Sequence, residues 1–205
     1  MLILRNLNKR FEERKILENI SLEFHENCIY KLEGSNGIGK TTLLKLIKGI
    51  VIADEGEITF KNKNLSKKLN ITFVDSNNRS FIHRLTVLEN LSYFSAVNKL
   101  KINQNEIEIL LGIFNLQNYM NKKFSNLSLG QMQLVSVIRG LIEKPDILLL
   151  DEVFSNLDEN NTLSLCYYLE EFCMKDENMI IIASHGKEIP LGFKEKINLD
   201  KLCSG

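Results

Sequence analysis

LEGSNGIGKTTLL, Leu32 to Leu44, joins CIYKLE (28–33), a more continuously apolar run than the segments before it, to a run with helical spacing, KTTLLKLIKG (40–49). Ordered glycine costs conformational entropy, so a loop this rich in glycine should be holding something. From Gly34 to Thr41 it fits G-x-x-x-x-G-K-[ST] at every fixed position, and it has the strand-before, helix-after setting that this pattern requires. Its glycines Gly34, Gly37 and Gly39 let backbone N–H groups turn inward around phosphate oxygens, and Ser35, Asn36, Ile38 and Thr42 complete the cradle. The N-terminus of the following helix adds partial positive charge. Lys40 is expected to reach the β- and γ-phosphates, and the Thr41 hydroxyl to ligate Mg²⁺. The loop therefore predicts a bound nucleoside triphosphate.

Downstream, DILLLDE (146–152) is apolar enough for a buried parallel strand and ends in two acids. Asp151 is placed to hold Mg²⁺ and Glu152 to polarise an attacking water. NMIIIAS (178–184) reads as a second buried strand, with a helix over about 160–174 between the two. Leu2, Leu4 and Leu7, then Ile16, Ile20, Leu22 and Phe24, alternate as antiparallel strands with one wet face. GEITF (56–60) and NITFVD (70–75) read as further strands. From about Thr86 the period becomes helical: TVLENLSYFSAVNKL, NQNEIEILLGIFNL with Asn103 as N-cap, and LSLGQMQLVSVIRGLIEKP stopped by Pro145. The predicted fold is α/β, a mixed sheet core with an antiparallel β edge and an inserted α-helical subdomain. One domain spans 1–205, with catalytic core segments at about 1–77 and 129–205 and the helical insertion at about 78–128.

The 26 Lys and Arg balance the 26 Asp and Glu, which argues against nucleic acid as a partner through bulk charge. Cys28, Cys166, Cys173 and Cys203 show no metal-ligand spacing; Cys166 and Cys173, seven apart in a helical pattern, read as buried thiols, which fits a reducing compartment. The N-terminal apolar run is too short for a signal peptide, and no run reaches the ~18 residues of a membrane span.

NLSLGQMQ (126–133) narrows the class. It resembles the LSGGQ signature of the ATP-binding cassette (ABC) ATPases: Ser128, Gly130 and Gln131 match, and Leu129 replaces the first signature glycine. Ser155-Asn-Leu-Asp158 resembles the family's D-loop, and His185 its switch histidine, which contacts the γ-phosphate. Phe11 stands where the family stacks an aromatic on adenine, with core packing as the alternative use, and Asp158 is also a natural helix N-cap. The Q-loop departs from the family: its glutamine position falls on Ser76 or Asn77, and Asn77 could still offer a carbonyl toward Mg²⁺ or water.

The resemblance covers nearly the whole chain and implies an ATPase with ATP and Mg²⁺ as ligands. It implies a homodimer or paired ATPase subunit in the ATP-bound state, with Ser128 and Gly130 of one subunit closing over the γ-phosphate held by the other. It implies catalytic roles for Lys40, Glu152 and His185. It further implies a separate polytopic membrane permease, hence a cytoplasmic location, peripheral on the inner face of the membrane. NNRSFIHRLTVLENL (77–91) resembles the corresponding loop of exporter-type cassettes, among which bare cassettes of this length occur, including the haem-export ATPases of cytochrome c maturation. The alternatives are a soluble non-transport ABC module and a nucleotide-dependent scaffold.

Overall fold

A computed structural model describes residues 1–60, 69–77, 80–100, 102–175 and 178–202. Three antiparallel strands form one sheet in the order β2–β1–β4: β1 (Leu2–Phe11), β2 (Arg14–Phe24) and β4 (Glu55–Phe60). Five parallel strands form the other in the order β5–β6–β7–β3–β8: β3 (Cys28–Glu33), β5 (Ile71–Asp75), β6 (Ile147–Asp151), β7 (Met179–Ala183) and β8 (Glu195–Asn198). The mixed β content is thus divided between two sheets.

Every residue of β6 and β7 is buried, because the parallel sheet is covered on both faces. Successive side chains still alternate. Leu148, Leu150, Ile180 and Ile182 enter one apolar cluster with Leu134 and Leu165. Leu149, Ile181 and Leu32 enter a second, with Leu43 and Leu44 and the inner face of the antiparallel sheet. The first cluster packs α4 (Leu129–Ile142) and α5 (Glu159–Lys175), and the second packs α1 (Lys40–Lys48).

Between β5 and α4 run, among the described residues, α2 (Val87–Val97), α3 (Gln104–Ile113) and the 3-10 turns Gln117–Tyr119 and Phe124–Asn126. The helix starts are chemically defined. Thr86 forms a capping box with Glu89, the Asn103 side chain accepts from the Glu106 N–H, and Ser128 forms a capping box with Gln131. Among the described residues, no helix is long and apolar enough to cross a membrane. Cys166 and Cys173 are buried in α5, and burial pushes their thiols up to about 12 and about 11, which disfavours the reactive thiolate. Cys203 lies outside the described residues, as do Asn78 and Arg79 of the 77–91 stretch. After β8 the chain turns into α6 (Leu199–Leu202).

Register positions the site. Asp75 of β5 pairs with Asp151 of β6, which pairs with Ala183 of β7, which pairs with Leu32 of β3. Four strands therefore end level, and everything after those residues is delivered to one edge of the sheet. That is where open parallel sheets bind ligands.

Candidate functional site

The glycine-rich loop leaves β3 at that edge. Gly37 and Gly39 sit at φ 81° and 113°, a region that side chains disfavour. A Cβ on Gly39 would also lie 2.8 Å from Leu17 Cδ2 and 3.2 Å from the Ile16 carbonyl oxygen, so the loop backbone is seated against β2. Lys40 is buried and curls over its own loop, with Nζ donating to Gly34 O at 2.7 Å and Ser35 O at 3.1 Å. Ser35 is clasped from α6: Asp200 accepts from the Ser35 N–H at 2.8 Å and from its hydroxyl at 2.6 Å. Those two bonds hold the Asp200 carboxyl below the usual carboxylate range, so it stands ionised beside the loop.

Thr41 Oγ1 donates to Asp151 Oδ2 at 2.7 Å, while Asp151 Oδ1 is buried with no hydrogen-bond partner. Burial raises the Asp151 carboxyl above its ordinary range. The Thr41 hydrogen bond opposes the rise, the negative charges of Glu152 and Asp75 add to it, and Lys45 offsets part of it. A buried oxygen without a partner beside a hydroxyl is a hard-donor pair that fits a divalent cation such as Mg²⁺. Among the described residues, no group of three or more His, Cys, Asp and Glu side chains is placed to hold a metal alone. The remaining coordination would therefore fall to phosphate oxygens and water.

Glu152 has φ 55°, a left-handed conformation that is costly for a residue with a side chain. Its N–H donates to Ala183 O at 2.9 Å, which ties the turn after β6 to the end of β7. The result is a contact of 2.7 Å between Glu152 Oε1 and His185 Nδ1. A carboxylate paired with an imidazole at the mouth of a phosphate loop is suited to accept a proton from water and to hold the acceptor in place.

Lys40, Thr41, Glu152 and His185 line one cavity of about 340 Å³, together with Gly37 and Ile16. That volume is at the low end of small-molecule sites. Phe11 does not line it. It lies half-exposed at the end of β1, paired in register with Arg14, whose guanidinium would lie 3.9 Å from a Cβ on Gly37. Asn77 follows β5, and its N–H donates to Asp75 Oδ1 at 3.1 Å.

Ser128, Gly130 and Gln131 are not among the residues lining the cavity. Ser128 and Gln131 exchange hydrogen bonds at the start of α4, at 3.0 and 3.3 Å. A Cβ on Gly130 would lie 2.8 Å from Asn156 O, so glycine lets α4 approach the 155–158 backbone. Leu129 is 64% exposed beside them. Asp158 caps α5, accepting from the Asn161 N–H at 2.8 Å and its side-chain amide at 3.0 Å.

The sequence reading missed Ile16, Asp75 and Asp200. The first was legible only as a strand residue, and the second only as a strand end. Asp200 carried no signal, since it lies far along the chain from Ser35.

A family model described as ABC transporter matches residues 17–155. The ABC transporter ATP-binding protein YybJ of Bacillus subtilis is 34% identical over 191 residues, covering 89% of this chain and 84% of that protein. An ABC transporter ATP-binding protein from Pyrococcus furiosus superposes with TM-score 0.82 at 26% identity, covering 98% of each chain. The ATP-binding cassette MJ0796, solved as a dimer in a post-hydrolysis state with ADP and Pi, superposes with TM-score 0.78 at 25% identity, covering 91% of this chain and 88% of that one. With its phosphate loop, strand-end acids and histidine assembled at one sheet edge, the chain belongs to the ABC transporter family, as an ATP-binding and ATP-hydrolysing subunit.

Proposed function

We propose that this subunit is one half of an ATP-driven clamp that powers a separate membrane-spanning permease. The observation that carries the reading is that one chain holds only half a site. The cavity over the phosphate loop is lined by Lys40, Thr41, Glu152 and His185, while Ser128 and Gly130 are presented elsewhere, at the N-terminus of α4 beside exposed Leu129. The serine hydroxyl, the glycine N–H and the helix dipole are donors suited to the γ-phosphate of a second copy. The dimeric form described for MJ0796 supports this.

In this reading the loop N–H groups and Lys40 hold the β- and γ-phosphates. Ser35, Asn36, Ile38 and Thr42 shape the cradle, and Phe11 packs against the base at its open end. Thr41 and Asp151 would hold Mg²⁺, with Asn77 as the further candidate donor after β5, and the ion when bound would neutralise charge building on the phosphates. Glu152 accepts the proton of the attacking water, and His185 orients Glu152 and contacts the γ-phosphate. Gln131 and Asp158 line the face that closes. Separation follows hydrolysis, because the contacts to the γ-phosphate are lost.

The helical segment from 80 to 128 is the natural permease-facing part, since Ile82, Tyr93 and Val97 expose apolar surface there. Export is the direction favoured by the resemblance of 77–91 to exporter cassettes. The working position is then the inner face of the membrane.

Glu152→Gln keeps the shape and removes the base. With ATP and Mg²⁺ it is expected to run as a dimer in size-exclusion chromatography, with hydrolysis down by about 10²–10⁴-fold. A monomer that hydrolyses at the wild-type rate would sink the reading. For the permease, gentle solubilisation of membranes from cells carrying the tagged protein should bring down a polytopic membrane protein in near-equal amount. Recovery with soluble proteins alone, absent from the membrane fraction, would rule it out.

A further inference from the structure

Two residues beyond His185, the Lys187 side chain turns back into the protein. We propose that Lys187 is a positioning residue that holds the 155–158 loop and the His185 loop as one unit, so that the hydrolytic pair and the face presented to a second chain move together. The proposal rests on the reading of Glu152 and His185 as the hydrolytic pair.

An ammonium has three donors, and all three are engaged. Nζ donates to Phe154 O at 2.8 Å, to Leu157 O at 2.6 Å and to Thr162 Oγ1 at 3.1 Å. These acceptors bracket the loop. Phe154 follows shortly after Glu152, Leu157 immediately precedes Asp158, and Thr162 is buried in the first turn of α5. The lysine backbone is fixed at the other end. Its N–H donates to His185 O at 2.7 Å across Gly186, which sits at φ 64°, and its carbonyl accepts from Lys31 Nζ at 3.4 Å. Ordering a long, flexible, strongly hydrated side chain costs rotamer entropy. Charge-assisted bonds to three protein oxygens offset it and leave the cation no freedom to act elsewhere.

The consequence is mechanical. The Gly130 contact with Asn156 O sets the same loop against α4. Displacement of His185 when the γ-phosphate leaves is therefore carried through Lys187 to Leu157, and from there to the Gly130 face. A purely structural lysine would stabilise the fold without coupling these loops.

The test compares Lys187→Met, Lys187→Arg and Thr162→Val with wild type in the full chain, by steady-state ATPase assay and by amide hydrogen exchange. Lys187→Met is expected to lower kcat about tenfold with KM within about twofold, since the phosphate loop is untouched but the hydrolytic geometry is not. Exchange should rise at 155–158 and around 185 and stay unchanged in β3, β6 and β7. Lys187→Arg, which keeps charge and donors, should recover part of kcat. Thr162→Val, which removes one acceptor, should show a smaller loss of the same kind. Wild-type kcat in Lys187→Met overturns the proposal. So does a loss that appears equally in KM and in exchange throughout the sheet, which is the mark of general loosening. Glu152→Gln, assayed alongside, separates the two ideas. If it is inactive while Lys187→Met is not, only the coupling fails; if it hydrolyses at the wild-type rate, the hydrolytic reading itself fails.

Discussion

The two carboxylate oxygens of Asp151 have unequal surroundings, and that inequality makes a pH prediction. Oδ2 is satisfied by Thr41, whereas Oδ1 is buried without a partner. Burial raises the carboxyl, so the folded protein binds a proton here more tightly than the unfolded chain does. In the window between the ordinary carboxylate pKa and the raised one, this group's contribution to stability falls as pH rises, because ionising it in place is unfavourable. A bound divalent cation reverses the preference by favouring the ionised form. Mg²⁺-dependent ATP affinity should therefore weaken as pH falls toward the ordinary carboxylate range, and more steeply in wild type than in Asp151→Asn, whose affinity is low throughout. Fluorescence titration with a labelled nucleotide at several pH values measures it. An equal slope in Asp151→Asn would assign the dependence to another group. Asp151 was legible in the sequence because a buried strand ending in acids is a strong pattern. Its unpartnered oxygen was not, because that depends on which hydroxyl lies across the loop.

Elements carry the next level of constraint, and α4 shows it best. A Cβ on Gly140 would lie 2.5 Å from Val74 Cγ2 and 3.3 Å from Thr72 Cγ2, so the helix rests directly on β5 at this point. Gly140→Ala gains helix propensity but must push that strand aside, and overpacking of this kind costs about 1–3 kcal/mol. The expected result is a melting temperature lower by several degrees, read by circular dichroism; an unchanged or raised value would mean that β5 yields freely. β6 and β7 were legible because strands buried on both faces are written as near-continuous apolar runs, and β3 because its buried residues lead straight into the glycine-rich loop. β8 was not, since EKIN buries only Ile197 and owes its place to pairing with β3. The starts of α2 and α4 could be read from T-x-x-E and S-x-x-Q, whose side chains satisfy local N–H groups. Arg139 illustrates what could not. Its guanidinium lies 4.8 Å from the ring centroids of both Phe81 and Phe94 and donates to Ser80 Oγ at 2.6 Å, binding α4 to the segment after β5 through contacts with no local signature.

At the scale of the whole molecule, level strand ends and short loops gather the chemistry on one edge, while α4 points its N-terminus and Leu129 outward. The sequence carried the residues of both half-sites in order, but order along a chain does not say that they belong to different copies; their separate placement argues for that. If two chains complete each site, turnover per chain must depend on protein concentration, because association precedes hydrolysis. Specific ATPase activity should rise with protein concentration and then level off. Velocity against ATP should be sigmoidal, with a Hill coefficient above about 1 and no more than about 2 for two coupled sites. Leu129→Glu places a carboxylate on the exposed face that would meet polyphosphate, where like charge disfavours closure. It should leave the melting temperature close to wild type, since Leu129 is 64% exposed, yet lower activity and suppress the ATP-dependent dimer of Glu152→Gln when the two are combined. Activity per chain that is flat across the whole concentration range, with Leu129→Glu fully active, would mean that each chain hydrolyses alone and that the outward face of α4 serves another purpose.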